Sequence, residues 1–147
     1  MICTFFGHKD TPEAVRGLLH KTLQNLIENK NVDLFYVGNQ GNFDAMVAKE
    51  LENLQKVYPH IRYYIVLAYM PTKKSTVPEK TADKTIFPEE IAQTPPKFAI
   101  DKRNRWMIER CDYVVTYVQF IVGGAVKYKT FAEKKGKTVI NLAELLK

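Results

Sequence analysis

The sequence has few of the residues that mark disulfide-rich or metal-binding proteins: its 147 residues include two cysteines and three histidines. Cys3 and Cys111 lie within or beside apolar, strand-like runs, where cysteine usually packs as a small hydrophobic side chain. The sequence therefore predicts neither a disulfide nor a metal site, and it indicates no cofactor.

Long apolar runs are also absent. No run approaches the ~20 residues that cross a bilayer, and the N-terminus leads into a strand-like run without a signal-peptide pattern. These absences argue against a membrane protein and predict a cytoplasmic location. Because 46% of the residues are apolar, the chain can bury a core of its own, and we expect one domain over residues 1–147.

Acidic residues are in the minority, with 16 Asp and Glu against 22 Lys and Arg, which gives a formal net charge of +6. A basic chain favours an anionic partner, and nucleotides, nucleic acids and acidic proteins all qualify. No long basic block is present, so the charge alone does not choose among them.

Strand-like and helix-like patterns alternate along the chain. The strand-like runs are "ICTFF", "DLFYVG", "IRYYIVLAY", "DYVVTYV" and "TVINL". Thr11-Pro12-Glu13 supplies a cap, a first-turn proline and an acid for the first helix, and a later helix is expected at about 98–110. This order predicts an α/β, Rossmann-like three-layer domain with a mainly parallel sheet of about five strands and helices on both faces. Residues 70–97, rich in Pro, Lys and Thr, predict a long loop, and such loops tend to be lids, binding segments or disordered tails.

In an open α/β sheet, ligands bind outside the carboxyl ends of the strands, where the strand order reverses. Three expected strand ends carry glycine, which permits a close approach to a ligand. These turns are Gly7-His8-Lys9, Gly38 to Asn42, and Gly123-Gly124. His8 could bond a ligand or transfer a proton there, although a loop histidine is more often simply exposed.

The last two turns differ in charge. Asp44 lies in the first turn of the helix after Gly38, where it would repel a phosphate and would suit a ribose hydroxyl, a base amino group or an intramolecular cap. After Gly123-Gly124 no acid follows, and Lys127 and Lys129 are nearby. That helix start is compatible with a phosphate, although ordinary surface turns share the pattern and both interpretations stay open.

Two arginines, Arg103 and Arg105, lie in the helix before the fourth strand-like run and could reach the same pocket. A guanidinium group matches phosphate oxygens in two-point contact. The predicted ligand-binding residues are Gly7, His8, Lys9, Gly38, Gly41, Asp44, Arg103, Asn104, Gly123, Gly124 and Lys127.

Several motifs together resemble a known family. They are "FFGHKD", "GNQGNFDAMVAKEL", "YPHIRYYIVLAY", "TIFPEEI", "RNRWMIERCDYVV" and "GGAVKYKTFAEKKGK". In order and spacing, over nearly the whole chain, they resemble the YpsA-like branch of the SLOG superfamily, which is named after SMF, DNA-processing protein A, and the LONELY GUY enzymes. The resemblance implies a SLOG-like, Rossmann-like domain that binds a nucleotide or a nucleotide-derived ligand.

LONELY GUY enzymes are phosphoribohydrolases that use an arginine before strand four and a glutamate after the glycine turn. By the resemblance, Arg103 matches that arginine, but Thr130 stands where the glutamate would be. A carboxylate stabilises the cationic transition state of base release, so hydrolysis would need another acid, such as Asp44 or Glu109. Arg103 and Asp44 are accordingly the catalytic candidates.

Three functions remain as expectations. The leading one is binding or sensing of a phosphorylated nucleotide or an ADP-ribose-like molecule. The second is N-glycosidic hydrolysis of a nucleotide, and the third is binding of single-stranded nucleic acid. The resemblance is also compatible with a homodimer.

Overall fold

The computed structural model describes residues 1–70, 84–119 and 123–145 and has a Rossmann-like α/β fold. Every strand pairing in the sheet is parallel, and the strand order is β4-β3-β2-β1-β5-β6. The strands are β1 Ile2–Gly7, β2 Leu34–Val37, β3 Arg62–Val66, β4 Thr85–Ile86, β5 Tyr113–Tyr117 and β6 Thr138–Asn141. The order reverses between β1 and β5, so the carboxyl ends of these two strands border the position where a ligand is expected.

Helices cover both faces of the sheet. A 3-10 helix, Glu13–Val15, leads into the first α-helix. The α-helices are α1 Arg16–Asn29, α2 Gly41–Val57, α3 Glu89–Ala92, α4 Pro96–Arg110, α5 Gly124–Lys134 and α6 Leu142–Leu145. One core lies between the sheet and α1, α2 and α6, and a second lies between the sheet and α3, α4 and α5. The predicted three-layer α/β class is confirmed.

The long loop predicted at 70–97 is wrong for its second half, and the sheet has six strands rather than about five. Thr85 and Ile86 pair with Ile65 and Val66 to form β4, and α3 follows, with Ile91 buried. Pairing with β3 and packing on α4 stabilise these short elements. Residues 71–83 of the predicted loop lie outside the described residues.

The start of α1 also differs from the prediction. The Thr11 hydroxyl donates a hydrogen bond to the carbonyl oxygen of His8, and no side chain caps the 3-10 helix that follows. Thr11 therefore stabilises the turn after β1 rather than the helix.

Helix α4 begins at Pro96 rather than near residue 98. Proline fits the first turn of a helix, because the N–H that it lacks would have no partner within the helix there.

The core side chains of the layer formed by α1, α2 and α6 are almost fully buried, as Leu19, Leu23 and Leu51 illustrate. Cys3 and Cys111 are buried and unpaired. No helix among the described residues combines the length and apolar character of a membrane span.

Candidate functional site

A cleft of ≈ 180 Å³ opens at the carboxyl ends of β1 and β2, between α4 and the start of α5. This position is the reversal point of the sheet. Six of the predicted ligand-binding residues line the cleft: Gly7, Gly38, Asp44, Arg103, Asn104 and Gly124. The fold thus brings together residues from four separate segments of the chain.

Arg103 lies in α4 and is buried, with 2% of its surface exposed. Its Nη1 donates to the carbonyl oxygen of Val66 (3.0 Å) and to Oδ1 of Asn39 (3.1 Å), and its Nε donates to Oδ1 of Asn104 (2.7 Å). All three acceptors are neutral, so the hydrogen bonds fix the guanidinium group without neutralising its charge.

The helix pattern explains why an arginine is buried here. Ala99, Arg103 and Met107 recur at intervals of four residues, which places them on one face of α4, and all three are buried against the sheet. Arg103 therefore occupies a core position in an otherwise apolar stripe. Such a charge is costly to bury unless it is paired and hydrogen-bonded.

Asp44 lies in the first turn of α2 and is 9% exposed. Burial raises the pKa of its carboxyl group to about 6, even though the hydrogen bond from the Gln40 backbone N–H (2.8 Å) and the charge of Arg103 both act to lower that pKa. Asp44 and Arg103 form no ion pair within 4.0 Å. The cleft is therefore lined by an acidic side chain, Asp44, and a basic side chain, Arg103, that are not in direct contact.

Gly38 lies between these two charged groups. A Cβ atom at this position would come within 2.8 Å of Asp44 Oδ2 and 3.2 Å of Arg103 Cζ. Gly7 is restricted in a similar way, because its Cβ would overlap the Phe43 ring at 2.4 Å. Both glycines are needed for close packing around the cleft floor.

The turn into α5 is more open. Gly123 has a φ of 121°, a conformation that favours glycine, and no acidic residue lies in the first turn of α5. Gly124 lines the cleft, whereas Gly123 does not. A Cβ atom at either glycine would meet nothing within 4 Å. The first amides of α5 are therefore accessible on this side of the cleft.

The predicted lysines and Arg105 point elsewhere. Lys127 forms an ion pair with Asp101 (3.0 Å), and Arg105 bonds the other oxygen of the same carboxylate (2.9 Å). Lys129 pairs with Glu133 (3.3 Å). None of these three basic side chains lines the cleft, so the role proposed for Lys127 in phosphate binding stays a prediction.

His8, Lys9 and Gly41 also lie outside the cleft lining. His8 Nε2 accepts a hydrogen bond from the backbone N–H of Gln119 (3.0 Å), which ties the turn after β1 to the end of β5. Gly41 has a φ of 87° and packs on the Lys9 backbone, where a Cβ atom would come within 2.6 Å of Lys9 Cα. In this structure the three residues hold the strand-end turns together.

Tyr128 is a cleft residue that the sequence did not indicate. It lies in α5, its ring stacks on Phe6 at 5.3 Å, and its hydroxyl donates to Asp101 Oδ1 (2.8 Å). Its spacing of four residues from Gly124 places both on one face of α5, which is the sequence signal that could have identified it. Gln40, which supplies the backbone N–H to Asp44, was missed as well.

Comparisons with known proteins support the fold. No protein-family model and no curated protein matches the sequence. The structure is similar to that of DNA processing protein A from Streptococcus pneumoniae, with a TM-score of 0.64 and 16% identity over 93% of this chain and 48% of that protein. It is also similar to DNA processing protein A from Helicobacter pylori, whose structure concerns a single-stranded DNA binding mode, with a TM-score of 0.67 and 16% identity over 95% of this chain and 63% of that protein.

The chain therefore spans about half to two thirds of these two proteins. At 16% identity, the similarity establishes the shared fold and leaves activity and partners open. Both neighbours are of the SMF type that contributes to the name of the SLOG superfamily. The assignment to the YpsA-like branch stays a prediction.

Proposed function

We propose that the cleft binds a phosphorylated nucleotide or a nucleotide-derived molecule, with its phosphate against Arg103. One observation carries the proposal: Arg103 is 2% exposed, and within the described residues no carboxylate lies at ion-pair distance from its guanidinium group. A buried and unpaired charge is costly. An anionic ligand would supply the missing countercharge.

The geometry of the guanidinium group suits this role. Nε and Nη1 donate to protein acceptors, while Nη2 has no hydrogen-bond partner in the part of the chain that the structure describes. Since Nη2 carries two N–H groups, it is available to a ligand oxygen. The first amides of α5, beside Gly124, lie on the same cleft and add the favourable field of a helix N-terminus.

The other side of the cleft suits the sugar or the base. The Asp44 carboxyl, which lines the cleft beside Gly7 and Gly38, can accept a hydrogen bond from a ribose hydroxyl or a base amino group. The cleft volume, ≈ 180 Å³, is below the ~300–1,000 Å³ of sites for drug-sized ligands. This size favours a mononucleotide over ADP-ribose.

Calorimetric titration of the purified protein with nucleoside monophosphates, nucleoside diphosphates and ADP-ribose tests the proposal. Arg103→Ala is expected to weaken binding by about tenfold or more, since hydrogen bonds to charged groups are the strong ones. Arg103→Lys keeps the charge without the planar fork and should bind with intermediate affinity.

The matched control is Arg62→Ala, because Arg62 is exposed at the start of β3, at the opposite end of the strands. It should bind like the unmodified protein. If Arg103→Ala remains folded and binds every nucleotide with unchanged affinity, the proposed contact is wrong.

Hydrolysis of the nucleotide N-glycosidic bond is a second candidate, favoured by the pKa of about 6 at Asp44. An acid that titrates near neutral pH can transfer a proton during catalysis. Glu109 and Thr130 are exposed outside the cleft, so Asp44 is the carboxylate to test. Base release by the unmodified protein, lost in Asp44→Asn while binding persists, would support this function; absence of release across the nucleotide panel would count against it.

Single-stranded DNA is a third candidate, favoured by the fold similarity to the H. pylori protein and by two exposed aromatic rings. Phe98 is 53% exposed with Lys97 over its ring, and Tyr69 is 44% exposed with its hydroxyl on the carbonyl oxygen of Pro96 (3.0 Å). Exposed rings with nearby cations can stack bases. Binding of oligothymidylate that weakens steeply with salt and is reduced in Phe98→Ala would support it.

A further inference from the structure

We infer that Ile100 contacts the base of the bound nucleotide at the mouth of the cleft, its solvent-exposed edge, and that the site therefore prefers purine nucleoside monophosphates. Ile100 belongs to α4 and lines the cleft. The inference rests on the proposed function, because it concerns the part of the ligand that lies beyond the Arg103 contact.

The cleft is too small to enclose a whole nucleotide. Its volume is ≈ 180 Å³, close to that of an engineered cavity of about 150 Å³ that binds benzene. A nucleoside monophosphate joins three groups in series, a phosphate, a ribose and a base. Only part of the ligand can therefore lie inside the cleft, and the remainder must lie at its mouth.

The depth of Arg103 determines which part of the ligand is enclosed. Arg103 is 2% exposed, so a phosphate that reaches its guanidinium group lies inside the cleft. The phosphate is one end of a nucleoside monophosphate and the base is the other. The base is thus the group that lies at the mouth.

One large apolar side chain is exposed at the mouth, among the residues that the structure describes. Ile100 is 36% exposed. The other large apolar residues of the lining are at most 8% exposed: Phe5, Phe6, Met107 and Tyr128. Gln40 and Gly124 are also exposed there, but neither carries an apolar side chain. Since every base has an apolar π-face, Ile100 is the side chain that can pack on it.

Helix geometry places Ile100 beside the phosphate site. It precedes Arg103 by three residues and Asn104 by four, so the three share one face of α4, with Cβ atoms about 5–6 Å apart. All three side chains line the cleft. A ligand bound at Arg103 therefore meets Ile100 within one helical turn.

Contact through an apolar face selects a base by its area. A purine presents two fused rings to Ile100 and a pyrimidine presents one, so a purine covers more of the exposed apolar surface. Adenosine and guanosine monophosphates should therefore bind with similar affinity. Both should bind about fourfold more tightly than cytidine and uridine monophosphates, which is the effect of one additional methylene-sized contact.

Calorimetric titration of the unmodified protein and of Ile100→Ala with adenosine monophosphate and with ribose 5-phosphate tests the inference. Ribose 5-phosphate has the phosphate and the sugar but no base. Ile100→Ala should bind adenosine monophosphate about fourfold more weakly and ribose 5-phosphate with unchanged affinity. Alanine is a strong helix former, so α4 should remain intact. Ile100→Leu keeps the apolar area and should bind both ligands like the unmodified protein.

A methyl signal in the NMR spectrum reports on the contact directly. The δ1 methyl resonance of Ile100 is assigned by its absence in Ile100→Leu. It should shift upfield when adenosine monophosphate is added, because the methyl group then lies over an aromatic ring. It should keep its position when ribose 5-phosphate is added.

Phe98→Ala is the matched control. Phe98 is another exposed apolar residue of α4, 53% exposed, but it lies outside the cleft lining. The affinity for adenosine monophosphate should be unchanged in this variant.

Two results would overturn the inference while bound ribose 5-phosphate still supported the proposed function. One is an unchanged affinity of Ile100→Ala for adenosine monophosphate. The other is an equal loss of affinity for both ligands in Ile100→Ala, because the side chain would then act on the phosphate site and not on the base. Binding of neither ligand to the unmodified protein would contradict the proposed function and the inference together.

Discussion

Helix α2 carries two buried carboxylates whose surroundings differ. Glu50, 6% exposed, faces α1, where Arg16 Nη1 bonds one carboxylate oxygen (3.1 Å) and His20 Nδ1 lies 2.9 Å from the other. Asp44, 9% exposed, faces the cleft, where its hydrogen bond comes from a backbone N–H and Arg103 is beyond ion-pair distance. Both acids are buried, but only Glu50 has basic side chains placed against both of its oxygens.

This difference distinguishes Glu50, whose carboxylate stabilises the fold, from Asp44, whose carboxylate faces a cleft. Arg16 and His20 each contact one oxygen of the Glu50 carboxylate, so neither oxygen is left for a ligand. Asp44 and Arg103 are each held in place by neutral partners and share a solvent-accessible cleft. Charges that are fixed but incompletely compensated are typical of binding and catalytic sites, where the ligand completes the arrangement.

Neutralising Asp44 should give the largest effect on stability. The folded-state pKa of about 6 lies above the ordinary 3.8, so the folded protein binds more protons between these pH values and loses stability as the pH rises through them. The loss is complete above pH ~6 and amounts to about 3 kcal/mol. Asp44→Asn should therefore be more stable than the unmodified protein at pH 7.5 by up to that amount.

Urea unfolding of both proteins at pH 4 and pH 7.5 measures this change. The stability difference should be small at pH 4 and should grow toward neutral pH. A difference that is independent of pH would contradict the proposed environment of Asp44.

The matching change at Glu50 should have the opposite sign. Glu50→Gln should destabilise the protein by about 2 kcal/mol at neutral pH, because Arg16 and His20 lose a charged acceptor. Glu52→Gln on the same helix is the control, since the Glu52 contact with Lys49 is a long, partly exposed pair (3.9 Å) worth less than ~1 kcal/mol.

Urea unfolding gives the free energies of these variants, and calorimetry gives their nucleotide affinities. Affinity should be unchanged in Glu50→Gln, because Glu50 lies outside the cleft. If Glu50→Gln is more stable than the unmodified protein, or binds nucleotide more weakly, the proposed difference between Glu50 and Asp44 is wrong.

A smaller effect is expected at Thr116 in β5. It is fully buried, and its hydroxyl has no hydrogen-bond partner among residues 1–70, 84–119 and 123–145, which costs free energy. Thr116→Val keeps the shape and removes the polar atom, so it should stabilise the protein by about 1 kcal/mol. Thermal unfolding checks this result; a lower melting temperature would show that the hydroxyl is satisfied in solution.

The alternation of patterns in the sequence was sufficient to predict the layers of the fold and the location of the cleft. Parallel strands bring their carboxyl ends to one edge of the sheet. Gly7 and Gly124, which are far apart in the sequence, line the same cleft for this reason. The burial of Arg103 could also be read from its spacing with Ala99 and Met107. These features depend on local periodicity and on general rules of topology.

Other features depend on tertiary contacts that the sequence does not display. The short strand β4 exists because it pairs with β3, although its local composition indicates a loop. The packing of α5 on α4 brings Lys127 to Asp101, and the backbone conformation of Gly41 allows its contact with Lys9. The ligand-binding roles of Lys127 and Gly41 stay predictions.

NMR titration with adenosine monophosphate tests whether Arg103 and the strand-end glycines form a nucleotide site. Backbone amides and arginine side-chain signals are followed together. If the cleft binds the nucleotide, saturable shifts should be concentrated at Gly38, Gly124 and the Arg103 side chain, which line the cleft. Shifts spread over exposed lysines with these three signals unchanged, or no shifts at millimolar nucleotide, would contradict nucleotide binding in the cleft.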